Sequence, residues 1–292
     1  MVISVEYIYF MKKKKSKRLS FLYYLSIVFF IIVVLGPIIW AIIVSFTPEY
    51  EMFKNTSNFL PKEPTIDNYL KLFTASDRQS KMFFIGILNS IKTAFITIFL
   101  CLPCSIMCAY AISKMKFKGR SIIKTLILIS MAIPVFTTII PLYRMFSLLS
   151  LLDNLFSLSL IYVTSFLPIN TWMISNYFET IPVEIEEASY IDGCNEIDVL
   201  LRVMIPISAP IILSAFLLVF LMSWGQFQIP LILASSANTK PISIVASEFV
   251  SKDSIQYGIT TAAGLLAIFP PALLAVIFRK FLVRGMTGGS GK

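Results

Sequence analysis

The sequence predicts an all-α integral membrane protein with six transmembrane helices, and three observations predict it. The 292 residues are 57% hydrophobic and 14% charged, whereas a soluble domain carries about a quarter charged residues. The charges are bunched between long apolar runs instead of covering a polar surface. Six of those runs have about the 20 apolar residues that a helix needs to cross a bilayer.

The runs lie at residues 21–46, 83–113, 122–149, 158–178, 209–233 and 259–283. The first follows the basic stretch Lys12–Lys15, Lys17 and Arg18. It is longer than a secretory h-region and has no clear small-residue cleavage site, so it reads as a retained span. The third and fourth runs are interrupted by Pro134, Pro141, Arg144 and Pro168. Breakers at membrane depth are tolerated where neighbouring helices or a cavity satisfy the freed backbone groups, so bent or broken helices are expected there.

Flanking Lys and Arg set the orientation. With the N-terminus inside, the inner segments hold Lys12–Arg18, then Lys114, Lys116, Lys118, Arg120 and Lys124, and finally Arg279, Lys280, Arg284 and Lys292. The large outer loop 47–82 has five acids and five bases, which cancel. This gives N-in, C-in, with residues 1–20 a basic cytoplasmic N-terminus, 21–283 a single transmembrane domain and 284–292 a cytoplasmic tail. One inner loop, 179–208, departs from the rule with seven acids and the lone base Arg202. Acids weigh little in topology, and their excess points to docking on a basic partner.

That loop reads as two short helices around a glycine. Pro182 suits a first helical turn, and Glu184, Glu186 and Glu187 complement the positive end of its dipole. Gly193 provides the left-handed stop, and Asn195 a cap for the second helix. Val199, Leu200, Val203 and Ile207 then share one face at helical spacing. A stiff helix–turn–helix between the fourth and fifth spans suits the transmission of force from a cytoplasmic partner.

The residues exclude other chemistries. There is no histidine, hence no imidazole base or metal ligand. Cys101-Leu-Pro-Cys104 lies inside a span and away from any βαβ context, so Cys101, Cys104, Cys108 and Cys194 read as structural. Gly288-Gly289-Ser290-Gly291-Lys292 lacks the spacing and the following Ser or Thr of a phosphate loop. The net charge of +9 lies beside membrane segments, which argues against nucleic acid. No acid lies well inside a span and no internal repeat is evident, unlike many ion-coupled secondary transporters.

Glu187-Ala188-Ser189, with Gly193 four positions on and Val203-Met204-Ile205-Pro206 after nine more residues, resembles the EAA loop of ABC-importer permeases. Ser189 stands for the usual second Ala, and Val203 and Ile205 are apolar replacements. Pro64-Thr65-Ile66-Asp67-Asn68-Tyr69, Asn89-Ser90, Ala109-Tyr110-Ala111, Phe117-Lys118-Gly119-Arg120, Ile133-Pro134, Pro141-Leu142-Tyr143 and Ile191-Asp192-Gly193 are similar to carbohydrate-importer permeases. Ser223-Trp224 is similar to the family's Ser-Trp-Asn segment, although Gly225 replaces Asn. Phe281–Gly289 resembles the tail of the maltose-importer permease that lacks the large extra domain.

The resemblance implies one subunit of a binding-protein-dependent importer in the cytoplasmic membrane of a prokaryote, moving a sugar or oligosaccharide by alternating access. Its partners would be a second homologous permease, two ABC ATPases and an extracytoplasmic sugar-binding protein. ATP and Mg would be bound by the ATPases, with no cofactor and no catalytic residue in this chain. Glu184, Glu187, Ala188, Ser189, Asp192 and Gly193 would dock the ATPase, joined by Arg284 and Gly285. The outer loop 234–257 would touch the binding protein.

Trp224, Gln226 and Gln228 carry the aromatic face and amides that a neutral sugar needs. With Gly225, Asn89 and Tyr143 they are the candidate pathway residues, against the plainer reading of packing and interhelical hydrogen bonds, which also covers Tyr110 and Asn170. Arg144 reads as snorkelling to the outer interface. Glycerol-3-phosphate or another solute is the alternative cargo. Lys92 and Arg144 are the only cations available for an anion, which leans towards a neutral one.

Overall fold

The computed structural model describes residues 3–54, 59–74, 78–248 and 257–287, and among them the regular structure is entirely helical. The helices are α1 (Ile3–Ser45), α2 (Glu49–Lys54), α3 (Asp67–Thr74), α4 (Arg78–Ser113), α5 (Arg120–Ser130), α6 (Val135–Leu148) and α7 (Leu155–Thr180). Then follow α8 (Val183–Ile191), α9 (Glu196–Asp198), a π-helical turn (Val199–Met204), α10 (Ile205–Ile207), α11 (Ala209–Trp224), α12 (Gln228–Leu233), α13 (Ile242–Glu248) and α14 (Tyr257–Thr287).

Among the described residues, four helical stretches are long and apolar enough to cross a bilayer: Phe21–Ser45, Ser80–Ser113, Leu155–Thr180 and Tyr257–Arg279. A fifth is added if the pair Glu196–Ile207 and Ala209–Trp224, bent by 81°, counts as one crossing. The expected third run is two helices, α5 and α6, separated at Met131–Pro134. Pro134 disfavours helical geometry at Ile133 and becomes the extended N-cap of α6. By contrast, α7 continues through Pro168, and the expected fifth run stops at Trp224, with Gly225 as its C-cap.

The contacts divide the chain into two compact units. In the unit made of Met1–Lys71 and Gln256–Leu265, the end of α1 is tied by Asn68, whose amide donates to the carbonyls of Ser45 (2.9 Å) and Thr47 (3.1 Å). The Tyr69 hydroxyl donates to Ser45 Oγ at 2.8 Å. The two Asn68 bonds satisfy carbonyls at and just beyond the end of α1, where a helix leaves them without partners. They give the Pro64–Tyr69 motif a structural use.

The other unit, Leu72–Ile255 with Leu266–Lys292, is built on α4, α7 and α11. Along α4, Asn89, Thr93, Thr97, Cys101, Ser105 and Ala109 recur every four residues and are all buried. Small and polar side chains at this spacing let helices approach closely in lipid, where apolar burial alone does not hold them together. Cys101 Sγ lies 3.7 Å from Ser105 Oγ within this seam, which gives the thiol a packing role.

Candidate functional site

The segment after α7 forms an elbow of short helices around Gly193, and its second part departs from the expected regular helix. Pro182 is the N-cap of α8, and Glu184 and Glu186 fall in its first turn. The Cys194 N–H closes onto the Ser189 carbonyl at 3.0 Å, and Gly193 takes φ +86. This is the glycine-dependent stop that the sequence asked for. Asn195 Oδ1 accepts from the N–H groups of Ile197 (2.9 Å) and Asp198 (3.0 Å), capping the next helix.

The correction concerns the second helix. Pro206 has no N–H to give and crowds the turn before it. The backbone widens there into a π turn, in which the Ile205 N–H reaches the Leu200 carbonyl, five residues back. The extra residue shifts the buried face from the expected Ile207, which is 41% exposed, to Met204, which is fully buried with Val199.

Val199, Leu200 and Met204 enter a core with Ile106, Ala109 and Tyr110 of α4, Ile174 and Phe178 of α7, Ile181, and Ala215 of α11. The rings of Tyr110 and Phe178 meet edge to face at 6.4 Å. The elbow is thus packed against three long helices.

Basic residues fasten the same joint. Lys114 Nζ lies 2.5 Å from Glu186 Oε1, with the two side chains only 10% and 8% exposed, and it also donates to the Ile181 carbonyl at 2.8 Å. Lys124 pairs with Glu179 at 2.6 Å. The Arg120 guanidinium donates to the Ile112 carbonyl (2.6 Å) and the Ser113 carbonyl (2.7 Å), satisfying the end of α4. The sequence reading gave these bases a topological role and assigned the acids to an outside partner. It missed that Glu179 and Glu186 have internal partners. The one signal was position: Lys114 is the first charge after the apolar run.

What remains outward is a compact acidic and apolar face. Glu184, Glu187, Ala188, Asp192 and Gly193 are exposed, beside Ile191 (87%) and Ile197 (68%). Ser189 instead turns inward and donates to the Ile185 carbonyl at 2.7 Å. Arg284 and Gly285 lie in the last turns of α14, where side chains fall outside the described residues, as does the tail from Gly288.

The six expected pathway residues differ in exposure. Asn89 is buried, and its amide donates to the carbonyls of Ala237 and Lys240, each at 3.0 Å. Trp224 is also buried, stacked on Phe220 at 5.5 Å, with Nε1 donating to the Ala267 carbonyl at 3.0 Å. Their N–H donors are engaged within the protein, which accords with the plainer reading of packing and internal hydrogen bonding. Tyr143 and Gly225 are exposed, and Gln226 and Gln228 are half-buried. Gln226 turns its side-chain oxygen back to the Phe227 N–H. Lys92 is exposed on the face of α4 that carries Leu88, Phe95 and Phe99, and Arg144 is exposed on α6.

A second ordered cluster surrounds residues 234–242. Asp153 Oδ1 accepts from the N–H groups of Ser235 (2.9 Å) and Ser236 (2.8 Å) and from the Thr239 hydroxyl. Ser90 Oγ accepts from the Ile242 N–H at 2.8 Å. The next residue, Asn154, caps α7 by accepting from Phe156 and Ser157. The sequence reading missed Asp153 altogether.

The profile of the family described as binding-protein-dependent transport system inner membrane component matches residues 101–288. The chain belongs to this family. It is 31% identical over 258 residues to the sulfoquinovosyl glycerol transport system permease protein of Agrobacterium fabrum, covering 88% of this chain and 89% of that one. It is 28% identical to the trehalose/maltose transport system permease protein of Thermococcus litoralis, covering 97% and 99%. Among solved structures it shares the fold of a bacterial ABC transporter involved in the import of the acidic polysaccharide alginate. The TM-score is 0.80 at 21% identity, over 90% of this chain and 96% of that one. The resemblance first read from Glu187–Pro206 agrees with the family match. The chain is therefore a membrane component of a transport system, and the relatives are permeases, not enzymes.

Proposed function

We propose that this chain is one of two permease subunits of an importer that moves a sugar or oligosaccharide inward across the cytoplasmic membrane by alternating access. Two ABC ATPases on the inner side supply the work, binding ATP and Mg themselves, and an extracytoplasmic binding protein delivers the cargo. Both termini lie inside, which puts the elbow on the cytoplasmic side. The observation that carries the reading is the two-sided elbow. Its inner side is keyed into α4, α7 and α11, and its outer side presents Glu184, Glu187, Asp192 and exposed Ile191 and Ile197. An apolar centre rimmed by charge is the composition of a protein-docking surface. A carbohydrate cargo is supported by the transport names of the relatives above.

Glu187→Lys tests the reading. The exposed side chain leaves insertion and folding intact, while the co-purified ATPase falls by at least about tenfold, the order expected when a docking charge meets its like. Undiminished co-purification together with unchanged uptake would remove the elbow from the coupling path. Collapse of ion gradients with ATP held constant leaves uptake intact on this reading and abolishes it for an ion-coupled carrier.

A further inference from the structure

Between α6 and α7 the backbone passes through Asp153 at φ +56. This left-handed conformation is uncommon outside glycine, and Asp is among the few residues that adopt it readily. It brings one carboxylate oxygen within reach of three donors on a distant turn: the Ser235 N–H, the Ser236 N–H and the Thr239 hydroxyl. The Asp153 N–H completes the junction by donating to the Leu233 carbonyl at 3.1 Å. Burial raises the carboxyl's pKa, but the donors from Ser236, Thr239 and Ser235 outweigh it and hold the group down to about 2.

From α4, Asn89 and Ser90 grip the same stretch through the Ala237 and Lys240 carbonyls and the Ile242 N–H. Close helix contact seals the arrangement: a Cβ on Gly86 would lie 2.9 Å from Val245 Cγ2 of α13. Apart from the Thr239 hydroxyl, the side chains here hold main-chain groups, so they fix the path of the turn whatever side chains it displays.

We propose that Asp153 is a positioning residue for transport, the clamp that holds the 235–240 turn in one shape for engagement by the soluble binding protein. The assignment rests on the importer reading above. A turn held in its binding conformation lowers the ordering cost of engagement, so loss of the clamp weakens engagement without touching the ATPase end.

The test uses the assembled importer in nanodiscs, its binding protein, and a mixture of trehalose, maltose and maltooligosaccharides as probe. Asp153→Gly keeps the left-handed backbone accessible and removes the carboxylate. In that variant, exchange at the Ser235 and Ser236 amides rises at least about tenfold, as for amides that lose their acceptor. The half-saturating concentration of binding protein rises about fivefold or more, roughly a 1 kcal/mol loss, while basal ATPase stays within about twofold of wild type. Asp153→Asn keeps an acceptor in place and restores most of both. Thr239→Val removes one donor and gives a smaller shift in the same direction.

Unchanged amide protection in Asp153→Gly would overturn the clamp. A proportional fall of basal and stimulated ATPase would also overturn it, since that is the signature of general damage. A wild-type importer that ignores its binding protein counts against the importer reading instead, and the exchange measurement still decides the clamp.

Discussion

The elbow at 181–208 is fixed to α4, α7 and α11, and the turn at 234–242 to α4 and the segment before α7, but by opposite means. The elbow is held by apolar side chains, Val199, Leu200 and Met204, reinforced by the buried Lys114–Glu186 pair. The turn is held by polar side chains, Asp153, Asn89 and Ser90, acting mostly on its main chain. Apolar burial is non-directional and transmits load while permitting small slides. Main-chain hydrogen bonds fix geometry and give little. On the proposed reading, the part that carries motion and the part that keeps its shape are attached by different means.

The sharpest way to break this comparison is at the buried ion pair. Removal of one member leaves an uncompensated charge that is about nine-tenths buried. Lys114→Met or Glu186→Gln is therefore expected to destabilise the chain by about 4 kcal/mol, read by thermal unfolding in detergent. The exchanged pair Lys114→Glu with Glu186→Lys recovers at least half of that loss and regains ATPase co-purification. If the single variants unfold like wild type, the elbow is held by its apolar face alone.

The next test concerns that face. Met204 is fully buried and Ile207 is 41% exposed. Met204→Ala costs about 3 kcal/mol through the cavity it leaves, whereas Ile207→Ala costs less than about 1 kcal/mol. Equal effects would restore the regular α-helical register and remove the π turn from the account.

These two tests also mark how far the sequence could be read. The stop at Gly193 and the cap at Asn195 were legible because their signals are local. Glu187-Ala188-Ser189, Gly193 and Asn195 lie within nine positions of one another, and each has a conformational meaning of its own. The π turn was not legible, because its cause, Pro206, acts backwards on a period that otherwise looks regular. The third and fifth apolar runs were legible as runs, but Pro134 and Gly225 divide them into pieces that composition alone does not separate. The Asp153 clamp was hidden for another reason. Asp153 meets Ser236 across 83 positions and Asn89 meets Lys240 across 151, and no periodicity connects such distant residues. Asn89 and Trp224 attracted attention as polar or aromatic groups within spans, and both proved to be partnered inside the protein.

The smallest expected effect separates charge from shape in the clamp. The Asp153 carboxyl is held to about 2 in the folded chain, against an ordinary value of about 3.9. A depressed carboxyl contributes stability in full above the unfolded value and loses it as pH falls through the folded one. The advantage of Asp153 over Asp153→Asn is therefore flat from about pH 5 to 8 and shrinks between about 4 and 2. Because the group is partly open to solvent, that advantage is about 1 kcal/mol or less. Differential unfolding of the two proteins across pH measures it, and the subtraction cancels the other carboxylates. A difference that grows on acidification would mean that the neutral acid is the better clamp, and that hydrogen-bond geometry alone, without the negative charge, holds the turn.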